Sequence, residues 1–257
     1  MNRLHLVELE DLPWFPARVR AYMQDHLRFL GELSTPAYAA FVERLAAAME
    51  RVGTTEVLDV CSGGGGPLKV ILRQLDRYGV QATVRLTDLY PNEAAFRRAE
   101  ARHPGRVQGV YEPVDATAVP AEYEGFRLIC NAFHHFPPEL GRKILADAVA
   151  KRRGVALVEM VSRRVSAVLA MLIGLVMIPP ASLVIRPFDP LRVLLSTALP
   201  IVPLCTLWDG VVSCLRVYSP RELRELVAGL DDDGYEWDIG ELRVGPGVIT
   251  YLIGVPR

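Results

Sequence analysis

Cysteine is scarce in this chain, and the few present do not pair. Of 257 residues only Cys61, Cys130, Cys205 and Cys214 are cysteines, and none stands in a C-x-x-C spacing. A disulfide framework and a cysteine zinc site are therefore not expected, and the four read as reduced thiols of a cytosolic protein. An excess of one charge is also lacking, with 29 Lys and Arg against 30 Asp and Glu. Without a basic surplus to neutralise phosphates, nucleic acid is not expected as a partner. The N-terminal stretch MNRLHLVELEDLPW has acidic residues where a secretory signal carries an unbroken apolar core, so no signal is expected. Repeats and low-complexity tracts are absent. Disorder is excluded by the 51% of apolar residues and a mean hydropathy of +0.20. Both values run high for a soluble core of this size, so some part of the chain is unusually apolar.

Two amphipathic helices come first. Val19, Tyr22, Met23, His26, Leu27 and Leu30 lie at the three-four spacing of one helical face. Tyr38, Phe41, Val42, Leu45 and Met49 form a second such face after the start signal Ser34-Thr35-Pro36, and Gly53 closes that helix. From residue 56 strands and helices alternate. EVLDV (56–60), ATVRLTDL (82–89), VQGVYEPVD (107–115), FRLICNAF (126–133) and VALVEMV (155–161) read as strands. Amphipathic helices fill the gaps, at 67–78, at NEAAFRRAEAR and at 138–153. After an apolar interruption, a capped helix SPRELRELVAGL leads to YEWDIGELRV and GVITYLIGV, joined through Gly245-Pro246-Gly247 as a hairpin. The pattern predicts an α/β, Rossmann-like, seven-stranded and mostly parallel sheet with helices on both faces. Four segments follow: an N-terminal helical lid (1–53), a nucleotide-type core (54–161), a hydrophobic insertion (162–217) and the completion of the core (218–257).

The run VLDVCSGGGG sits where a strand turns into a helix. Glycines there admit unusual backbone angles and let a ligand approach the main chain beside a helix N-terminus. The run lacks the G-x-x-x-x-G-K-[ST] of a phosphate loop and is not a clean G-x-G-x-x-G. Asp88 follows 22 residues beyond Gly66, where a carboxylate suits a ribose diol.

Taken in order, Asp59-Val60-Cys61-Ser62-Gly63-Gly64-Gly65, Thr87-Asp88-Leu89, Val114-Asp115-Ala116 and Ile129-Cys130-Asn131-Ala132-Phe133-His134-His135-Phe136 resemble the motifs of the class I S-adenosylmethionine (SAM) dependent methyltransferases. The resemblance covers residues 54–161 and 218–257 and implies SAM as cofactor. It implies that Asp59 holds the methionine end, while the backbone of Cys61, Ser62, Gly63, Gly64 and Gly65 passes under the ribose and methionine chain. Asp88 would take both ribose hydroxyls, Leu89 would lie against adenine, and Asp115 with the Ala116 backbone would meet the adenine amino group. Asn131 would border the methionine end and the acceptor. One departure is visible: the family's first loop glycine is Cys61 here. Near a helix N-terminus its thiol could be acidic, but no basic neighbour supports that, and a small packing residue is the simpler reading.

Asn131, His134 and His135 are the candidate catalytic residues. Either histidine could serve an acceptor hydroxyl or amine as general base. Alternatively, one ring packs against the cofactor while the other bonds to backbone. Two adjacent histidines without further ligands make a poor metal site, and no metal is expected.

The insertion contains 21 residues without charge between Arg164 and Arg186, and another 16 from Val193 to Trp208. Pro179-Pro180 should end the first helix after about 15 residues, and Pro200 and Pro203 should break the second segment. A re-entrant or interfacial hairpin fits, with Arg186, Asp189 and Arg192 near its turn. Upstream, Lys151, Arg152, Arg153, Arg163 and Arg164 form a basic cluster suited to anionic headgroups. Membrane contact, an apolar acceptor pocket and a homodimer interface all remain open. Trp208, Asp209 and Tyr218 are candidate acceptor contacts, or packing residues.

The expected activity is SAM-dependent methylation of a small apolar or lipid-like acceptor, in the cytoplasm or at the inner face of a membrane. Two rivals stand beside it: a SAM-consuming cyclase of the azetidine-2-carboxylate synthase type, and a non-catalytic membrane-associated SAM-binding module.

Overall fold

A computed structural model describes residues 2–33, 35–230, 234–244 and 247–257. The chain divides into two compact units, Ser34–Met160 with Tyr218–Arg257, and Met1–Leu33 with Val161–Val217. The expected lid is thus divided between them. Helix α1 (Ala17–Leu33) belongs with the insertion, and α2 (Thr35–Arg51) belongs with the sheet. The reason lies in the inner face of α2. Phe41, Val42, Leu45 and Met49 are fully buried in one cluster with Leu75, Ile253 and Val255. At about 25 cal/mol per Å² of apolar surface, such a face outweighs any preference set by chain order. Ser34 of the start signal lies outside the described residues.

In the sheet unit the strands are β1 (Glu56–Val60), β2 (Thr83–Thr87), β3 (Val107–Gly109), β4 (Phe126–Cys130), β5 (Val155–Glu159), β6 (Tyr235–Val244) and β7 (Gly247–Pro256). They form one seven-stranded sheet in the order β3-β2-β1-β4-β5-β7-β6. The first five are parallel, and β7 runs antiparallel between β5 and β6. Val244 pairs with Gly247 across the closing hairpin, whose Gly245 and Pro246 lie outside the described residues. The third strand is far shorter than the expected 107–115: it ends at Gly109, and beyond it only single backbone bonds continue, from Val110 to the Leu86 carbonyl and from Val114 to the Asp88 carbonyl. Helices cover both faces. Leu72 and Leu75 of α3 (Leu68–Arg77) join α2 on one, while α5 (Pro138–Ala150) and α9 (Pro220–Val227) cover the other through Ile144, Leu145, Leu223 and Leu226. Helix α4 (Glu93–Arg102) flanks β3, with Phe96 buried. A capping box between Ser219 and Glu222 starts α9 where the chain returns to the sheet.

Lys151, Arg152 and Arg153 lie just before β5, whereas the insertion departs beyond its other end. Lys151 pairs with Asp147 at 2.6 Å, Arg153 pairs with Glu124 at 2.7 Å, and Arg152 donates to the Arg257 carbonyl. The expected five-residue cluster is therefore split by a strand, and its first three members serve the sheet unit.

The second unit contains α1, α6 (Val165–Val184), α7 (Pro190–Ser196) and α8 (Ile201–Arg216). Its small core joins Phe15, Val19, Tyr22 and Met23 to Ile178 and Val202. That core ends at Met23, so Leu27 and Leu30, expected on the inner face of α1, are exposed. The two prolines do not stop α6, which runs through both for 20 residues. Proline inside a helix costs about 3 kcal/mol, and buried Ile178 and Ala181 on either side hold the helix against that cost. Pro200 instead caps α8, and Pro203 falls in its first turn, where a missing N–H forfeits no helical bond. α7 and α8 meet at 66°.

Several buried polar groups inside this unit are paired. Asp189 caps α7 and accepts from the Tyr22 hydroxyl at 2.7 Å. Arg192, 1% exposed, reaches Asp25 and the carbonyls of Ile185 and Pro187 at 2.7–2.9 Å. Asp209 accepts from the backbone of Leu9 and Glu10, and Trp208 donates to the Val7 carbonyl. These two candidate acceptor contacts therefore hold the N-terminal segment. Tyr218, in the sheet unit, is buried against Phe133 and donates to the Phe136 carbonyl at 2.7 Å, a packing role.

Candidate functional site

Strand register determines which residues share the carboxyl edge of the sheet. Val60 lies opposite Thr87, so the next residues, Cys61 and Asp88, leave neighbouring strands at one level. Cys130 lies opposite Val158, which puts Asn131 level with Glu159. In open α/β sheets this edge is where ligands bind.

The loop between β1 and α3 turns through the left-handed region four times, at Cys61 (φ 63), Gly63 (φ 50), Gly65 (φ 92) and Gly66 (φ 40). Glycine enters that region freely; a residue with a Cβ pays about 1–2 kcal/mol. Cys61 thus adopts the backbone shape of the glycine it replaces, under strain. Burial, with Asp88 next in weight, pushes its thiol up, which speaks against an acidic nucleophile. The same burial raises Cys130. Ser62 ties the loop to the sheet. Its hydroxyl donates to the Asp59 carbonyl at 2.8 Å and accepts from the Thr87 N–H at 3.1 Å, and its own N–H donates to the Thr87 carbonyl at 3.0 Å.

Asp88 is partly exposed. Its two oxygens accept from the N–H groups of Gly63 and Tyr90, at 2.8 and 2.9 Å, so one carboxylate braces the glycine loop and its own turn. Burial raises its pKa, while those amides and the charge of His135 oppose the rise. Leu89 is 45% exposed beside it. Asp115 is exposed and accepts from Thr117 through both N–H and hydroxyl at 2.8 Å, and Ala116 behind it is buried. Asp59 is 6% exposed and is pushed up to about 7, first by burial and then by the like charge of Asp88, with Ser62 opposing. A buried carboxylate whose strongest charged neighbour is another carboxylate suits a cationic ligand group.

Asn131, at φ 52, is held on three sides. Its N–H donates to the Val158 carbonyl, its amide donates to the Tyr38 hydroxyl at 2.8 Å, and its carbonyl oxygen accepts from the Met160 N–H at 2.8 Å. Tyr38 is 1% exposed, and burial raises its pKa, so it stays a neutral hydroxyl. The two histidines differ in partner. His134 is buried and its Nδ1 lies 2.7 Å from Glu159 Oε2, whereas His135 is half-buried and near enough to Asp88 to favour its ionised form. Their rings stack with centroids 4.4 Å apart.

Sequence reasoning missed Glu159 and Tyr38 as members of this site. Glu159 carried a signal, as the one charge closing the otherwise apolar strand VALVE. Tyr38 carried none, since it reads as one more apolar position on a helix face.

No protein-family model and no curated protein matches the chain. Solved structures do resemble it. The plantazolicin methyltransferase BpumL, in complex with S-adenosylhomocysteine, superposes at a TM-score of 0.59 with 12% identity, over 97% of this chain and 94% of that one. The mitomycin 7-O-methyltransferase MmcR superposes at 0.50 with 13% identity, over 86% of this chain and 54% of the other. A Nostoc punctiforme protein assigned as an O-methyltransferase gives 0.50 and 14%, over 98% and 64%. The chain spans nearly all of the first of these proteins but under two thirds of the other two. Strand order, the antiparallel seventh strand and these superpositions together show that the chain has the Rossmann-like fold of the class I SAM-dependent methyltransferases.

Proposed function

We propose that this chain transfers a methyl group from SAM to a small apolar or lipid-like acceptor. The observation that carries the reading is the row of groups at one sheet edge: Asp59 near the end of β1 and the strained loop at Cys61 after it, Asp88 after β2, Asp115 in the loop beyond β3 and Asn131 after β4. The buried, uncompensated Asp59 fits the ammonium of the methionine end. Asp88, fixed by two backbone amides, fits a ribose diol. Leu89, Asp115 and Ala116 would hold the adenine, and the loop from Cys61 to Gly65 would pass beneath the chain between.

When bound, SAM supplies an electrophilic methyl group on its sulfonium. The protein's part is chiefly placement and exclusion of water. Asn131 cannot swing freely, because both ends of its amide are engaged, so it forms a fixed wall of the site. Glu159 holds His134, and His135 is a histidine whose charge bears on Asp88. The apolar acceptor is supported by the uncharged, apolar composition of residues 165–185 and 193–208.

Incubation with SAM, with and without a lipid extract, followed by mass spectrometry tests this reading. Acceptor-dependent S-adenosylhomocysteine is expected. Rapid methylthioadenosine without acceptor would mean cyclisation of the aminobutyryl arm, and the absence of both would mean a binding module; either result overturns methyl transfer.

A further inference from the structure

We propose that the Tyr38 hydroxyl is a further cofactor-binding group, which donates its proton to the carboxylate at the methionine end of SAM. This role rests on the SAM reading of the sheet edge and makes α2 part of what holds the cofactor. The Met160 N–H can only donate, so the oxygen of the Asn131 amide, 2.8 Å away, is its acceptor, and the amide is fixed end for end. The NH2 end therefore faces Tyr38 and donates to its oxygen at 2.8 Å. Because Tyr38 accepts in that bond, its own hydrogen is left to give. Tyr38 makes no other hydrogen bond among the described residues, although it is only 1% exposed. Glu159 acts on the hydroxyl electrostatically, but its two oxygens serve the His134 N–H and Nδ1. A buried O–H without an acceptor is costly, and it points to a ligand that supplies one.

Charge selects the atom of the ligand. The methionine end is a zwitterion, and Asp59 fits its ammonium. Asp59 pairs with Leu128 of β4, three residues before Asn131, so Asp59 and the Asn131–Tyr38 pair belong to the ends of adjacent strands. Cys130 is acted on by Asp59 and in turn acts on Tyr38, which puts all three in one neighbourhood. Asp59, Asp88, Asp115 and Glu159 are carboxylates and cannot receive another. A neutral hydroxyl can, and burial, which raises the Tyr38 pKa, keeps it protonated. A lone pair of the methyl acceptor is a poorer recipient, since a proton donated to it would blunt the nucleophile.

Calorimetry with SAM and with decarboxylated SAM, which keeps the adenosine, sulfonium and ammonium, tests the proposal. Tyr38→Phe retains the buried ring and removes only the O–H. It should weaken SAM by about tenfold or more and leave the decarboxylated analogue within about twofold, with circular dichroism unchanged. Asn131 also loses its acceptor in this variant, an effect common to both ligands that the comparison cancels. A second measurement needs no variant: in the unaltered protein, saturating SAM should slow amide exchange in the first turns of α2 more than the saturating analogue does. If Tyr38→Phe weakens both ligands alike, or neither, or if the two ligands protect α2 equally, the role of Tyr38 is overturned while SAM binding stands. Unaltered protein that binds neither ligand at millimolar concentration overturns the SAM reading, and this role with it.

Discussion

Glu159 binds His134 twice: one carboxylate oxygen accepts from the His134 N–H at 3.1 Å, and the other lies 2.7 Å from its Nδ1. A carboxylate can only accept, so the ring donates from Nδ1, and its tautomer and orientation are set together. The pair links the end of β5 to the turn after β4.

Glu159→Gln should therefore loosen this turn more than it alters cofactor contacts. The amide keeps one acceptor oxygen and loses the other, so unfolding free energy should fall by about 1–3 kcal/mol, read from denaturant midpoints. SAM affinity by calorimetry should stay within a few-fold. A hundredfold loss of affinity at unchanged stability would place Glu159 on the ligand.

Asp88→Ala should have the opposite balance. It removes the proposed ribose partner and also frees the Gly63 and Tyr90 amides from which Asp88 accepts. A hydrogen bond to a charged group is worth about 1.5–3 kcal/mol, so SAM affinity should drop by roughly 10- to 100-fold in calorimetry. Unaltered affinity would remove the cofactor reading from this edge.

Asp59 predicts a pH dependence. Its carboxyl, pushed up to about 7, is protonated in acid, and only the ionised form can pair with an ammonium. SAM affinity should rise as pH passes through 7 and level off above it, and binding near neutrality should release a proton, visible as a buffer-dependent binding enthalpy. Folding has the reverse sign. The native chain keeps a proton that the unfolded chain gives up near 3.8, so this group's contribution is fully present below that value and is lost as pH rises through about 7. Asp59→Asn should flatten both profiles.

Cys61→Gly should raise stability by up to about 1 kcal/mol, the relief of left-handed strain less the added entropy of the unfolded chain. Cys61→Val should lower it by about 1–3 kcal/mol, since a β-branched side chain is worse placed at φ 63. Thermal melts of the three proteins rank them. In the native protein a thiol reagent should leave Cys61 unmodified, as burial keeps its thiol protonated.

Local pattern and tertiary contact divided the outcome between them. The alternation from EVLDV onward determined the sheet, and the glycine loop with the acids at 59, 88 and 115 marked the edge proposed for the cofactor, because strand periodicity, left-handed turns and carboxylates at loop positions are written residue by residue. The antiparallel closing hairpin was legible for the same reason. The continuation of α6 through Pro179 and Pro180 was not, since the buried contacts of Ile178 and Ala181 that override proline come from other helices. Nor was the division of the N-terminal pair: α1 and α2 show similar amphipathic faces, and only packing partners assign one to each unit. Glu159 and Tyr38 joined the site by register and by a contact across 93 residues between Tyr38 and Asn131, distances over which a sequence states no geometry. The sequence alone decided which reactive side chains the chain carries, and tertiary structure decided which of them meet, because contact energies depend on positions that no local window contains.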